Sequence, residues 1–492
     1  MRAFRLASGV LRNRKVILGI GAGSLITAGN IKIRNDSKFD AFFAKGFLDE
    51  LQHRSLFSVL RSAFVYEICS RAWLVKLSLG AMSLCDVFHL SFLYNPFCRY
   101  TFYKHFCGGE TPQAVMATMD TLQAAGITSC LNYSREVDLD GDMDVNKIAS
   151  QGVVPPQVPV PSEKNQKVLR QIADKAFESN MHIIDMATYK PGTVCAVKLT
   201  PFINPLVLQR YNSILNQYPV ESACNYLEHL KSPELSAYEV SELKKFWEYA
   251  DKLCQFAKEK QIPLFIDAEQ TYFQDCMHAV TVDLMRKYNK EVAIVHNTYQ
   301  LYLKKSRKIM DDHIKKCVAE GWLMGAKLVR GAYLSSEPRF LIHDTKAETD
   351  KDFDSAMEAI IAAAAKFAPG DPASASDPIA SRKGKWGIMV ASHNKKTMFE
   401  SVNLAETKKV DFTKTSFYLA QLLGMADDIT YALAYSQRNQ QPNFYIVKYV
   451  SCGPISEVLP YLVRRARENI DALDRCKEER AYYRQALRRR IF

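Results

Sequence analysis

Across 492 residues, the groups best suited to chemistry recur at the ends of short apolar runs. Lys198 follows VCAV, Asp267 and Glu269 follow PLFI, and Asn297 and Gln300 end the run that begins VAIV. Lys327 and Arg330 lie within AKLVRGAY, Ser392, His393 and Asn394 close WGIMVASHN, and Tyr449 lies near the end of FYIVKYVS. Taken singly, each reads as a capping or solubilising group. Recurrence at matched run ends points instead to one shared site.

Two clusters are denser. In KLVRGAY (327–333), two cations flank two apolar residues and Gly331 permits close approach of backbone to a ligand. That pattern suits an anionic or electron-rich group, such as a flavin edge or a phosphate. In YLVRRAREN (461–469), Arg464 and Arg465 are adjacent and are read as opening a helix. A solvated face with Arg464 and Glu468 at i,i+4 is the plainer reading. A helix that starts just after a strand aims its N-terminus at the strand ends, where an arginine pair makes a carboxylate receptor.

Other signals are weak. EVDLDGDMD (136–144) resembles a calcium loop but places Lys147 where a bidentate glutamate is required, so it reads as an acidic surface loop. Gly19, Gly21 and Gly23 lack the strand-turn-helix setting of a dinucleotide loop. Asn132-Tyr133-Ser134 is a formal glycosylation sequon within a strand. Twelve cysteines without a CxxC pair and ten histidines without HxH or HxxxH spacing imply free thiols in a reducing compartment and no metal site.

The elements that must position these groups alternate regularly. Eight candidate strands occupy 126–134, 194–200, 263–269, 292–300, 326–333, 386–393, 416–422 and 444–451, with amphipathic helical stretches such as 238–260 and 306–321 between them. Strands alternating with helices imply a parallel sheet. Eight of them without a nucleotide-binding glycine loop favour the α/β class and a closed, TIM-like (βα)₈ barrel, with an N-terminal helical extension and helical insertions.

The expected organisation has four parts. Residues 1–35, with seven basic side chains and no acidic one, form a mitochondrial transit segment. Val16–Ile31 is apolar but short and glycine-rich for a spanning helix. Residues 36–109 are a helical region with the apolar content of a membrane-surface patch. Residues 110–475 are the barrel, interrupted by a flexible insertion at 369–385, and 476–492 are a basic tail. Much of the net charge of +12 sits at the two ends, and no nucleic-acid-binding motif lies between them.

The segments DAE (267–269), KLVRGAY (327–333), TDKDFD (349–354), SHN (392–394), LLGMAD (422–427) and YLVRRAREN (461–469) together resemble the proline dehydrogenase family, in its mitochondrial monofunctional eukaryotic form. The resemblance covers about 105–470. It implies a distorted (βα)₈ barrel and FAD-dependent oxidation of L-proline to Δ1-pyrroline-5-carboxylate, the first step of proline catabolism to glutamate. Electrons would pass to a membrane quinone, ubiquinone, through peripheral contact with the mitochondrial inner membrane on its matrix side.

By the same resemblance, Arg464 and Arg465 grip the substrate carboxylate with Lys198 beside them, and Tyr449 closes over the substrate ring. Asp267 organises the charged pocket, and Lys327 lies near the flavin redox edge. Ala268, Asn297, Gln300, Arg330, Gly331, Ala332, Ser392 and His393 contact FAD. Two alternatives stand beside this reading: a sister enzyme acting on hydroxyproline, and a catalytically silent membrane-associated scaffold.

Overall fold

The computed structural model of the chain describes residues 37–87, 91–133, 157–219, 225–334, 336–366, 385–437, 444–471 and 473–491. The expected transit segment, the acidic loop at 136–144, Ser134 of the sequon and 369–384 of the insertion lie outside these residues.

Among the described residues nine strands form one sheet: β1 (Cys107–Gly109), β2 (Thr128–Tyr133), β3 (Val194–Val197), β4 (Leu264–Ile266), β5 (Val295–Gln300), β6 (Gly325–Val329), β7 (Trp386–Ala391), β8 (Thr415–Leu422) and β9 (Tyr445–Cys452). Their order is β1-β9-β2-β3-β4-β5-β6-β7-β8 with β9 also paired to β8, so β2 to β9 form a closed parallel ring and β1 adds to it through β9. The expected TIM-like barrel is therefore present.

The helices run α1 (Ser37–His53), α2 (Leu56–Cys69), α3 (Ala72–Val87), α4 (Ser91–Cys98), α5 (Pro112–Ala124), α6 (Glu163–Ala187), α7 (Pro205–Leu215), α8 (Ala237–Glu259), α9 (Thr271–Tyr288), α10 (Ser306–Glu320), α11 (Lys346–Lys366), α12 (Lys395–Thr407), α13 (Asp427–Gln437), α14 (Ile455–Asp471) and α15 (Leu473–Ile491). Their starts follow from local chemistry. Ser236 and Glu239 form a reciprocal capping box at α8, and Ser162 caps α6.

All eight expected strands are present, several ending earlier than their apolar runs. β3 stops at Val197 and β4 at Ile266, so Lys198, Asp267 and Glu269 fall just beyond the strand ends, with the Asp267 N–H still donating to the Val197 carbonyl at 2.9 Å. The ninth strand, β1, corrects the expectation that 36–109 is wholly helical. Its Cys-Gly-Gly sequence has no alternation to read, yet a Cβ on Gly108 would meet Val450 Cγ1 at 2.4 Å, so glycine is what lets the strand lie against β9.

Two compact units are distinguished: Met1–Ser129 with His393–Asn403 and Leu419–Phe492, and Cys130–Ser392 with Leu404–Tyr418. In the first, α1 packs on α13 and α15 packs on α1 and α2. Residues 476–492, expected as a basic tail, lie largely in helix α15, which buries Cys476, Tyr483 and Ala486. Several of its basic groups have partners there. Arg484 reaches Glu67 at 2.7 Å, and Arg490 donates to the carbonyls of Leu51 and Gln52, two of the acceptors left open at the end of α1.

In the second unit, the strand register sets the interior in rows. Ala196, Phe265, His296, Gly325 and Gly387 fall in one row across β3 to β7. Phe265 and His296 stack with ring centres 4.1 Å apart. Because the His296 ring fills the row, a Cβ on Gly387 would come within 2.0 Å of its Nε2.

Candidate active site

Side chains alternate faces along a strand, so the next inward row lies two residues beyond the packed one. Continuing the register gives Lys198, Asp267, Thr298, Lys327 and Met389 side by side. The lower row is uncharged, with a neutral His296, and the upper row carries Lys198, Asp267 and Lys327. Burial thus changes to chemistry at the C-terminal ends of the strands, the face on which barrels carry their reaction sites.

Within the upper row Lys327 Nζ donates to Asp267 Oδ1 at 2.7 Å, and both side chains are nearly buried. A buried ammonium without a carboxylate beside it would be costly, so the pair fixes the position of both. Thr298 turns its hydroxyl to the carbonyl of Ile266 at 2.7 Å. One step further out, Gln300 Nε2 donates to the Glu269 carbonyl at 2.8 Å.

The Glu269 carboxylate accepts the Thr200 hydroxyl at 2.8 Å and the Thr200 N–H at 3.3 Å. Burial raises its pKa, while Lys198 and the Thr200 donors pull it back. Lys198 is thereby placed in the same charged cluster as Glu269 and Asp267.

Arg330 is held on three sides. Its Nε donates to Asp350 Oδ1 at 2.8 Å, Nη1 donates to Ser392 Oγ at 3.0 Å, and the guanidinium lies 4.4 Å from the Phe353 ring centre. A half-exposed arginine fixed this way has its guanidinium plane held in a set direction. Gly331 follows with φ of +153°, and a Cβ there would overlap the Tyr302 ring. The glycine is thus required by a protein neighbour, a reason the sequence did not suggest. Ala332 is exposed and Ala268 half-buried, each just beyond the C-terminal end of its strand.

Asn297 is placed differently. Its side-chain amide bonds to His278 Nδ1 of α9 at about 3 Å, and it faces the helix layer, in the row between the two inward ones. Burial lowers the pKa of His278 to about 4, so that imidazole is neutral.

The other expected residues belong to the first unit. His393 Nε2 accepts the Leu422 N–H at 3.1 Å, and Asn394 Oδ1 accepts the Thr397 N–H, which makes it a cap for α12. Tyr449 is half-buried on β9, and its neighbour Lys448 points the opposite way, to Asp427 Oδ1 at 2.8 Å. Arg465 is buried with its guanidinium 4.9 Å from the Tyr461 ring centre, and Arg464 is half-buried one residue before it.

One expectation about these arginines is corrected. They do not open a helix: α14 begins at Ile455, just after Pro454, so the pair lies in its third turn. The helix dipole acts only within the first turn, so any anion held there is held by the guanidinium groups themselves.

Sequence reasoning missed Thr298 and Met389, which look like ordinary strand residues until the register aligns them with Lys327. It also gave no role to Phe353, although TDKDFD had stood out as a segment. A helical spacing that puts Asp350 and Phe353 on neighbouring positions of one face was the available signal.

Residues 115–478 match the family model for proline dehydrogenase. The chain is 99% identical over 492 residues, the full length of both, to a probable mitochondrial proline dehydrogenase of Schizosaccharomyces pombe. It is 26% identical over 489 residues to mitochondrial proline dehydrogenase 1 of Dictyostelium discoideum, covering 93% of this chain and 76% of that one. Among solved structures, proline utilization A from Bdellovibrio bacteriovorus inactivated by N-propargylglycine aligns with a TM-score of 0.52 at 16% identity. That alignment covers 88% of this chain and 37% of the longer one, and it shows a shared fold.

Proposed function

The chain belongs to the proline dehydrogenase family, whose reaction is the first step of proline catabolism, and on that premise we propose an FAD-dependent oxidation of L-proline to Δ1-pyrroline-5-carboxylate. The observation that carries the proposal is the charged row at the strand ends, with Lys327 fixed on Asp267 at 2.7 Å and Lys198 beside them. Its setting above an uncharged interior is what a site for orienting a small charged substrate requires.

The residues present fit FAD by the chemistry of their donors. Arg330, braced by Asp350 and Phe353, supplies a directed cation for a diphosphate. Ser392 and Gln300 add neutral polar groups, Ala268 and Ala332 put only small side chains beside the strand ends, and Gly331 is assigned to the cofactor by resemblance. His393 is assigned to the same cofactor. Asn297 is assigned to it by resemblance alone, since its amide is engaged by His278. When bound, FAD supplies the two-electron acceptor.

The protein's own part is orientation. Arg464 and Arg465 take the substrate carboxylate, Lys198 adds positive charge, and Tyr449 covers the ring. Removing hydride from the ring carbon requires an unprotonated amine, and cations near the carboxylate favour that form by repelling the ammonium. Lys327 stabilises negative charge that develops near it, and Asp267 keeps its ammonium in place. The electron acceptor in this reading is ubiquinone, reached by peripheral contact with the inner membrane on the matrix side. The relatives' mitochondrial names support that compartment.

Anaerobic titration tests the proposal. L-Proline is expected to bleach the flavin absorbance and trans-4-hydroxy-L-proline to do so poorly, because Tyr449 crowds the added hydroxyl. A flavin spectrum unmoved by proline would overturn it. Arg464→Met is expected to raise KM by about two orders of magnitude with flavin retained, and an unchanged KM would remove its assigned role.

A further inference from the structure

Apolar side chains exposed to solvent are normally scattered, and a cluster of them marks a contact surface. Nine of the eighteen exposed large apolar side chains among the described residues fall between positions 56 and 100, all in the first unit. On α2, Leu56, Phe57, Leu60 and Phe64 lie on one arc of the helix, opposite the buried Val59, Val65 and Tyr66. On α3, Trp73 and Leu77 are one turn apart, and each is more than 60% exposed.

The cluster is continuous. Phe64 meets Phe97 of α4 edge to face at 6.0 Å, Phe97 meets Phe102 at 6.4 Å, and α3 packs between α2 and α4. No described helix is long and apolar enough to cross a membrane.

A cavity of about 880 Å³ opens beside this face, with Ser58 and Arg61 of α2 on one wall and Tyr100 and Lys104 on another. Other cations in its lining are neutralised. Arg54 lies 3.5 Å from Asp427, and Arg99 lies 2.6 Å from Glu110. Among the described residues, Arg61 and Lys104 have no carboxylate within ion-pair distance. Arg61 Nη2 reaches only Ser58 Oγ at 3.5 Å, and its buried Nε has no acceptor.

We infer that the exposed face of α2, α3 and α4 is a membrane-docking surface that lies on the bilayer without spanning it, and that the cavity with Arg61 and Lys104 receives an anionic phospholipid headgroup. This rests on the proposed membrane contact and assigns it a place. Phenylalanine, tryptophan and leucine beside arginine and lysine is the composition of an interfacial anchor. The two unneutralised cations select a negative surface. Charge argues against the other occupants. The exposed apolar side chains of a second copy of the face carry no carboxylate to offer Arg61 and Lys104, and residues 1–35 contain no acid either.

Flotation of the full-length flavoenzyme with phosphatidylcholine vesicles, with and without phosphatidylglycerol, tests the inference. The wild type is expected to bind anionic vesicles well above neutral ones. Phe57→Glu and Leu77→Glu should each weaken binding about tenfold or more, and Arg61→Gln should cut the preference for anionic vesicles about fivefold. Proline-dependent reduction of a soluble dye should stay unchanged in all three, which also shows that they fold. If the wild type floats and the variants float equally well, this surface is wrong while membrane contact survives. If the wild type binds no vesicles, the membrane reading itself fails. If Phe57→Glu instead abolishes a dimer seen by analytical ultracentrifugation, the occupant is a second copy and the inference is overturned.

Discussion

At the scale of residues, charged groups in this protein are held in place by neighbours that carry no charge to the reaction. Arg330 illustrates it: Asp350, Ser392 and Phe353 together fix one guanidinium. Asp350→Asn is expected to weaken FAD binding about fivefold with little change in fold stability, because the pair is partly exposed and screened. Fluorescence titration of the apoprotein with FAD measures it, and an unchanged affinity would detach Arg330 from the cofactor. Lys448 differs because its side chain is almost fully buried on Asp427. Burial alone would raise the pKa of Asp427, but Lys448 and Arg54 outweigh it and hold the carboxyl below its usual range. Lys448→Met strands a buried carboxylate and should lower stability by about 3–5 kcal/mol in chemical unfolding. A loss under 1 kcal/mol would show that Arg54 suffices.

At the scale of elements, the row structure explains which strand residues are free to vary. Gly387 faces the His296 ring, which is itself wedged against Phe265. Gly387→Ala should therefore cost about 1–3 kcal/mol through overpacking and lower the melting temperature, whereas His296 alone cannot swing away without losing its stacking. A neutral melting temperature would mean that the row relaxes more easily than its packing suggests. The same alternation shows why Asn297 was hard to place. Polar residues at strand ends look alike in sequence, but the two-residue period sends Asn297 to the helix layer while Thr298 and Gln300 face inward. Element boundaries followed local signals such as the Ser236 capping box. β1 escaped because two glycines leave no pattern to detect.

For the whole molecule, buried histidines set a pH limit on stability. Burial lowers the pKa of His105, His278 and His296 to about 4, and it depresses that of His313 as well. The unfolded chain takes up protons near pH 6.5, which the folded protein refuses until about pH 4. Stability is therefore full above the unfolded value and falls as pH drops through that window, by up to about 1.4 kcal/mol per pH unit for each histidine. Urea unfolding at pH 7, 6 and 5 should show it, and a flat profile would contradict the neutral state of these rings. The sequence alone determined the alternation of strands and helices, the barrel class and the family resemblance, because periodicity and short motifs are local properties of a chain. Only the tertiary structure decided that Lys327 rests on Asp267, that α15 is a packed helix, and that Arg464 and Arg465 lie in a third turn. Those facts depend on register and on where a helix begins, and both are set by contacts between residues distant in sequence.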